Sequence, residues 1–136
     1  MVELDIWYDR TPKNDQGDVV IHVSTAGQLD ELIDRIIHET ADNAAPPMIQ
    51  VAVSGTKRQG MEVGLGKDKG FIKYIGRTEG GQTRGDATPD LVVDYVYMGS
   101  HTQVPAEVEV PIDLVRRGLH EFLATGERPS VVSAEG

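Results

Sequence analysis

The residues with chemistry to offer in this 136-residue chain are four histidines, a group of acids beside a glycine-rich stretch, and the segment GLGKDKG. His22, His38, His101 and His120 form no HxH and no i,i+4 pair. Zinc sites built from one element need such spacing, so the sequence predicts no metal site from histidine. Asp86, Asp90 and Asp94 bring three carboxylates near one place, the donor type that holds Mg²⁺ or Ca²⁺. Their spacing does not match the DxDxDG loop, and they read first as a solvated acidic rim on a sheet edge, which is compatible with an anionic patch facing a partner. GLGKDKG lacks the GxxxxGK[ST] pattern, and its glycines do not open a helix. It reads as a strand-to-strand turn, where glycine supplies positive φ and room. Ser24, Ser54, Ser100, Ser130 and Ser133 lack a GxSxG elbow. The chain has no cysteine, which excludes a disulfide scaffold, a thiolate metal site and a cysteine nucleophile.

These residues must be positioned by elements that the apolar periodicity reveals. Leu29, Leu32, Ile33, Ile36 and Ile37 form one stripe at helical spacing and predict a helix over 27–42. Thr25 and Gln28 are spaced as its capping box, and Glu31 and Arg35 as an i,i+4 pair. Ile112, Val115, Leu119, Phe122 and Leu123 predict a second helix over 111–125, opened by Pro111 and closed by Gly126. Between and before them run alternating segments that predict strands: 3–8, 19–23, 49–53, 61–65, 71–75 and 91–98. In the last of these Leu91, Val93, Tyr95 and Tyr97 share one face, and Val92, Asp94, Val96 and Met98 the other. Trp7 and Tyr8 point to opposite faces of the first strand, one toward the core and one toward a surface. Residues 76–89, with Gly80, Gly81 and Gly85, read as a polar, mobile loop. The tail SVVSAEG is a short edge strand or a frayed end. The result is an α+β fold: a mostly antiparallel sheet of about six strands with two helices packed on one face. Residues 1–136 fit one domain.

Composition narrows the function classes. Thirteen basic against twenty-two acidic residues give a net charge of −9 and a pI near 4.8. A protein that binds nucleic acid or an anionic membrane by charge carries the opposite sign. Residues 1–50 and 88–136 hold most of the acids, while residues 51–87 carry more bases than acids. No apolar run reaches the ~18 residues of a membrane span, and MVELDIWYDR has no basic and apolar leader pattern, so a cytoplasmic location is expected.

Six segments in order carry a resemblance: LDIWYD, TAGQLDELIDRII, PPMIQVAV, VGLGKDKGFIKYIG, DYVYMGSHTQVPAEVEVP and IDLVRRGLHEFLATGERP. Together they resemble the actinobacterial branch of the immunity protein 1 family, with a difference at the end, where family members often close on a tryptophan-containing strand. The resemblance implies a cognate antitoxin that neutralises a polymorphic toxin, often of deaminase type, by direct binding. It implies an α+β fold, no catalytic residues and no cofactor or metal. The expected partner is a toxin protein rather than nucleic acid or membrane. Exposed loops carry recognition more often than scaffolds do, which selects Glu79, Asp86, Asp90 and Asp94 as partner contacts, with Tyr97 as an amphipathic anchor. The competing readings are a small metal-dependent hydrolase built on Asp86, Asp90, Asp94 and a histidine, and a structural adaptor.

Overall fold

The computed structural model describes residues 2–8, 20–41, 45–55, 60–76, 80–85, 91–97 and 100–134. Strand β1 (Leu4–Trp7) pairs antiparallel with β2 (Ile21–Val23), as the alternation predicts, and the tip joining them lies outside the described residues. Helix α1 (Ala26–Glu39) follows. Its capping box is complete: the Gln28 N–H donates to Thr25 Oγ1 at 3.1 Å, and Gln28 Oε1 accepts the Thr25 N–H at 3.2 Å. Arg35 pairs with Glu39 at 3.5 Å, one turn ahead of it, while Glu31 acts on Arg35 through its charge. Strands β3 (Pro47–Val53), β4 (Gly60–Leu65) and β5 (Lys69–Ile75) then form an antiparallel meander. The GLGKDKG segment is the β4–β5 turn, closed by the Gly66 N–H on the Lys69 carbonyl at 3.0 Å. Gly66 has no positive φ; a Cβ there would lie 2.5 Å from the Lys69 carbonyl oxygen. Of the two roles expected of that glycine, room is the one the turn uses.

The sheet is larger than the six strands expected. Strands β6 (Gly80–Gln82), β7 (Val92–Tyr97), β8 (Ser100–Pro105), β9 (Val110–Pro111) and β10 (Ser133–Ala134) bring the described strands to ten. The central order is β10-β6-β5-β4-β3-β1-β2. β7 joins β3 in the only parallel pairing among the described strands, and β9 joins β5. Part of the expected mobile loop is thus ordered strand: Gly80–Gln82 pairs with both β5 and β10. Thr83 ends that strand fully buried, taking the Ile72 N–H at 3.1 Å and donating to the Val108 carbonyl at 2.7 Å. Gly85 lies so close to the following backbone that a Cβ would sit 1.8 Å from the Glu109 carbonyl oxygen. Gly85 permits close packing, which composition alone does not distinguish from mobility.

Helix α2 (Ile112–Thr125) ends at Gly126, whose φ of 70° suits glycine at a helix C-terminus. Both helices cover one sheet face. Leu29, Leu32, Ile33 and Ile36 of α1 join Val115, Leu119, Phe122 and Leu123 of α2 over Ile6, Val51, Val63 and Ile72. The helices are also joined through charge: Arg116 pairs with Asp34 and Asp30, and His120 Nε2 lies 2.8 Å from Asp30 Oδ1. Tyr8 is buried in this core and Trp7 is half-buried, consistent with their alternation.

A second, smaller core occupies the opposite face. Met48, Phe71, Tyr95 and Val108 form it, and the Tyr95 ring meets Phe71 edge-on at a centroid distance of 4.9 Å. The β7–β8 hairpin leaves β3 and lays its inner side on this face. Tyr95 Oη donates to Glu109 Oε2 at 2.7 Å. Burial first, then that hydrogen bond and the carboxylate's charge, push the Tyr95 hydroxyl far above its ordinary range. A phenol held protonated in the fold but ionising near pH 10 once unfolded contributes stability below that pH, which is lost as pH rises through the folded value. Denaturant melts of the wild type should therefore weaken above about pH 10, and Tyr95→Phe should decline less steeply over the same range. Parallel slopes for the two proteins would show that Tyr95 does not drive the alkaline loss.

Candidate functional site

The β7–β8 hairpin holds the candidate contacts that fall among the described residues. Its register runs from Val92 opposite Pro105 to Tyr97 opposite Ser100. The Ala106 N–H donates to the Leu91 carbonyl at 2.9 Å. Hydrogen-bonded pairs alternate in an antiparallel ladder, so Thr102 and Val104 direct their backbone groups toward β7. His101 and Gln103 then turn theirs to the far edge of β8, which pairs with no other described strand. The Val96 N–H points the other way, to the Pro46 carbonyl at 2.9 Å, as this alternation requires.

The same alternation sorts the side chains. Val93, Tyr95, Thr102 and Val104 face inward and are buried or half-buried. Val92, Asp94, His101, Gln103 and Pro105 face outward and are exposed. Leu91, just before β7, is 57 % exposed and Val92 58 %. The remaining large apolar side chain among the described residues with such exposure is Ile75, at 47 %, on β5. Leu91 falls on the face of Tyr95 by alternation, but it lies ahead of the strand and stays exposed there.

Asp94 sits mid-strand on the outer side of the hairpin with no ion pair among the described residues. Tyr97 closes β7, opposite Ser100 and beside Met48 of β3, and its side chain lies outside the described set. Glu79, Asp86 and Asp90 also lie outside it. Other acids are already engaged. Asp30 and Asp34 serve Arg116 and His120, and Glu107 lies 3.7 Å from Arg84. The Arg84 pair places one base of the positive middle segment against a local acid.

The histidines stay apart. His22 Nδ1 lies 2.6 Å from Asp5 Oδ1, which also accepts from Ser54 Oγ at 2.6 Å. His120 joins Asp30, and His101 is exposed on β8. Among the described residues no three His, Asp or Glu side chains gather as metal donors; Asp86 and Asp90 of the proposed trio fall outside them. What the described hairpin presents is exposed aliphatic groups, a carboxylate without an ion pair among the described residues, and an open strand edge.

A family model described as immunity protein Imm1 matches residues 17–135, from just before β2 to the end of β10. The chain belongs to the Imm1 immunity-protein family. The match spans both helices and the whole β7–β8 hairpin, so the Imm1 assignment and the geometry concern the same residues. Comparison with curated proteins gives no match. Membership in Imm1 implies a toxin protein as partner. No described helix of this Imm1 protein is long and apolar enough to cross a membrane.

Proposed function

We propose that this Imm1 protein is a stoichiometric inhibitor, one domain acting in the cytoplasm, that neutralises a cognate polymorphic toxin by direct binding and has no turnover of its own. The toxin is of a deaminase type acting on nucleic acid. Membership in Imm1 carries the reading, and charge supports it. A toxin acting on nucleic acid needs a basic substrate groove. A protein of net charge −9 can occlude such a groove and be steered to it. Glu79, Asp86, Asp90 and Asp94 are the proposed charged contacts and Tyr97 an additional anchor.

Co-expression with the toxin encoded beside its gene tests the function. The wild-type chain should restore growth and bind the toxin one to one. An Asp86→Asn/Asp90→Asn/Asp94→Asn variant should associate more slowly, with a flatter salt dependence, because rim charges act on the encounter more than on dissociation. If one of these acids is desolvated against an arginine, its loss should instead cost about 2–5 kcal/mol and appear in the off-rate. A triple variant that protects fully with unchanged kinetics removes the acidic mechanism. A wild-type chain that neither binds nor rescues removes the immunity function.

A further inference from the structure

The β7–β8 hairpin and the residue just before it combine features that a purely solvated surface does not need together. Leu91 and Val92 are more than half exposed, and Pro105 lies exposed directly opposite Val92. Val92 and Pro105 share the outer face, and Leu91, next to Val92 in the chain, adds exposed apolar surface at the same end of the hairpin. Asp94 follows two residues along the same face, opposite Gln103, with no ion pair among the described residues. We propose that Leu91, Val92 and Pro105 are the anchor of the toxin interface, and that they receive the aliphatic stem of a toxin arginine whose guanidinium pairs with Asp94. The proposal rests on the immunity reading and specifies where and by what chemistry the partner is held.

Chemistry selects the occupant. A carboxylate only accepts hydrogen bonds, and proline supplies no backbone donor at that end of the strand edge. The site therefore suits a group that only donates. Arginine has five donors and no acceptor, pairs with carboxylates in a two-pronged geometry, and is more weakly hydrated than lysine. Its methylene stem covers apolar surface while its head stays polar. A second copy of this chain fits worse, because it brings another net charge of −9 and another Asp94 to the contact. Nucleic acid is disfavoured by the same repulsion. The helical face is a weaker candidate, since Asp30 and Asp34 already hold Arg116 and His120.

The test uses the full chain and a catalytically inactivated form of the toxin domain encoded beside it. Association and dissociation are followed at low and high salt for the wild type, Leu91→Gln/Val92→Thr, Asp94→Asn and Ile75→Gln. All four replaced side chains are exposed, and unfolding curves verify that the variants remain folded. Leu91→Gln/Val92→Thr should weaken binding by about 30-fold or more, chiefly through faster dissociation, as loss of an anchor does. Asp94→Asn should weaken binding and flatten its salt dependence. Ile75→Gln removes the third exposed aliphatic, on a different strand, and should leave binding unchanged. Binding by the double variant within about threefold of wild type overturns the anchor, since that is far below a hot-spot loss. A larger effect at Ile75 overturns it in favour of the open sheet face. A wild-type dimer that the double variant dissolves overturns the arginine in favour of self-association. A wild-type chain that binds no toxin removes the immunity reading and this anchor with it, whereas loss of the anchor alone leaves the immunity reading standing.

Discussion

Phe122→Ala is expected to cost about 3–5 kcal/mol of folding stability, the range for removing a buried aromatic ring. Phe122 has no exposed surface and sits on the inner stripe of α2. Its ring meets Tyr74 of β5 edge-on, with centroids 6.2 Å apart and planes at 80°. Truncation loses the transfer free energy of the ring, leaves a cavity between α2 and the sheet, and strips Tyr74 of that contact. The cavity closes poorly because α2 is held at both ends. Its first residue donates from the Ile112 N–H to the Asp68 carbonyl at 2.9 Å, and its last turn is fixed by Gly126 on the Phe122 carbonyl at 2.7 Å. A whole domain is stable by only about 5–15 kcal/mol, so the variant should be partly unfolded at modest denaturant. Leu32→Ala, on the stripe of α1 and 5 % exposed, should cost about 2–5 kcal/mol by the same mechanism. Denaturant melts giving less than about 1 kcal/mol for both would contradict the assignment of these faces to the core.

That prediction follows from the sequence stripes alone, and the structure adds the partners. Helices are legible here because five apolar residues at helical spacing can bury together in only one way. The capping box at Thr25 is equally local, since three residues contain it. The longer strands are legible because Ile49, Val51, Met61 and Val63 alternate with less apolar neighbours. The rest of the sheet was hidden for a physical reason. Gly80–Gln82 has almost no side chain to alternate, Ser100–Pro105 is largely polar, and Val110–Pro111 and Ser133–Ala134 have two residues each. Such strands form because neighbours in space supply ladder partners. Thr83 shows the same limit: nothing in its local sequence announces that it links Ile72 to Val108.

The candidate site was legible only as charge. Asp94 is exposed and unpaired in an ion pair among the described residues, in keeping with a solvated or partner-facing acid. The alternation of residues 91–98 says that two faces exist but not which apolar groups stay uncovered. That choice depends on where β3 ends its pairing with β7, at Pro47 and Met48. Beyond that point the hairpin rests on Phe71 with its inner side only, and the apolar groups at its outer end remain in solvent. Exposure there is a consequence of topology.

Gly64→Val tests that topology, because two physical effects predict opposite signs. Gly64 lies inside β4, between Met48 of β3 and Phe71 of β5. By strand propensity alone, valine should be the better residue, with a scale that spans about 1 kcal/mol. By packing it should be worse. A Cβ at residue 64 would lie 2.5 Å from the Phe71 ring and 2.6 Å from the Tyr95 ring. Both rings are buried and stacked edge to face, so neither can yield without disturbing the other. Overpacking of this kind costs about 1–3 kcal/mol and exceeds the propensity gain, so the net effect should be destabilising. The damage should be local. Amide exchange should rise at Tyr95, Thr102 and Val104, whose backbone groups join the two hairpin strands, while Leu32 and Leu119 on the helical side keep their protection. Toxin binding should fall as well, although the substitution touches none of the proposed contacts, because the hairpin that carries Leu91, Val92 and Asp94 would lose its seat on Phe71. A Gly64→Val protein as stable as wild type would show that the two rings are not held in place. One that is destabilised but binds the toxin with unchanged affinity would place the interface away from the hairpin.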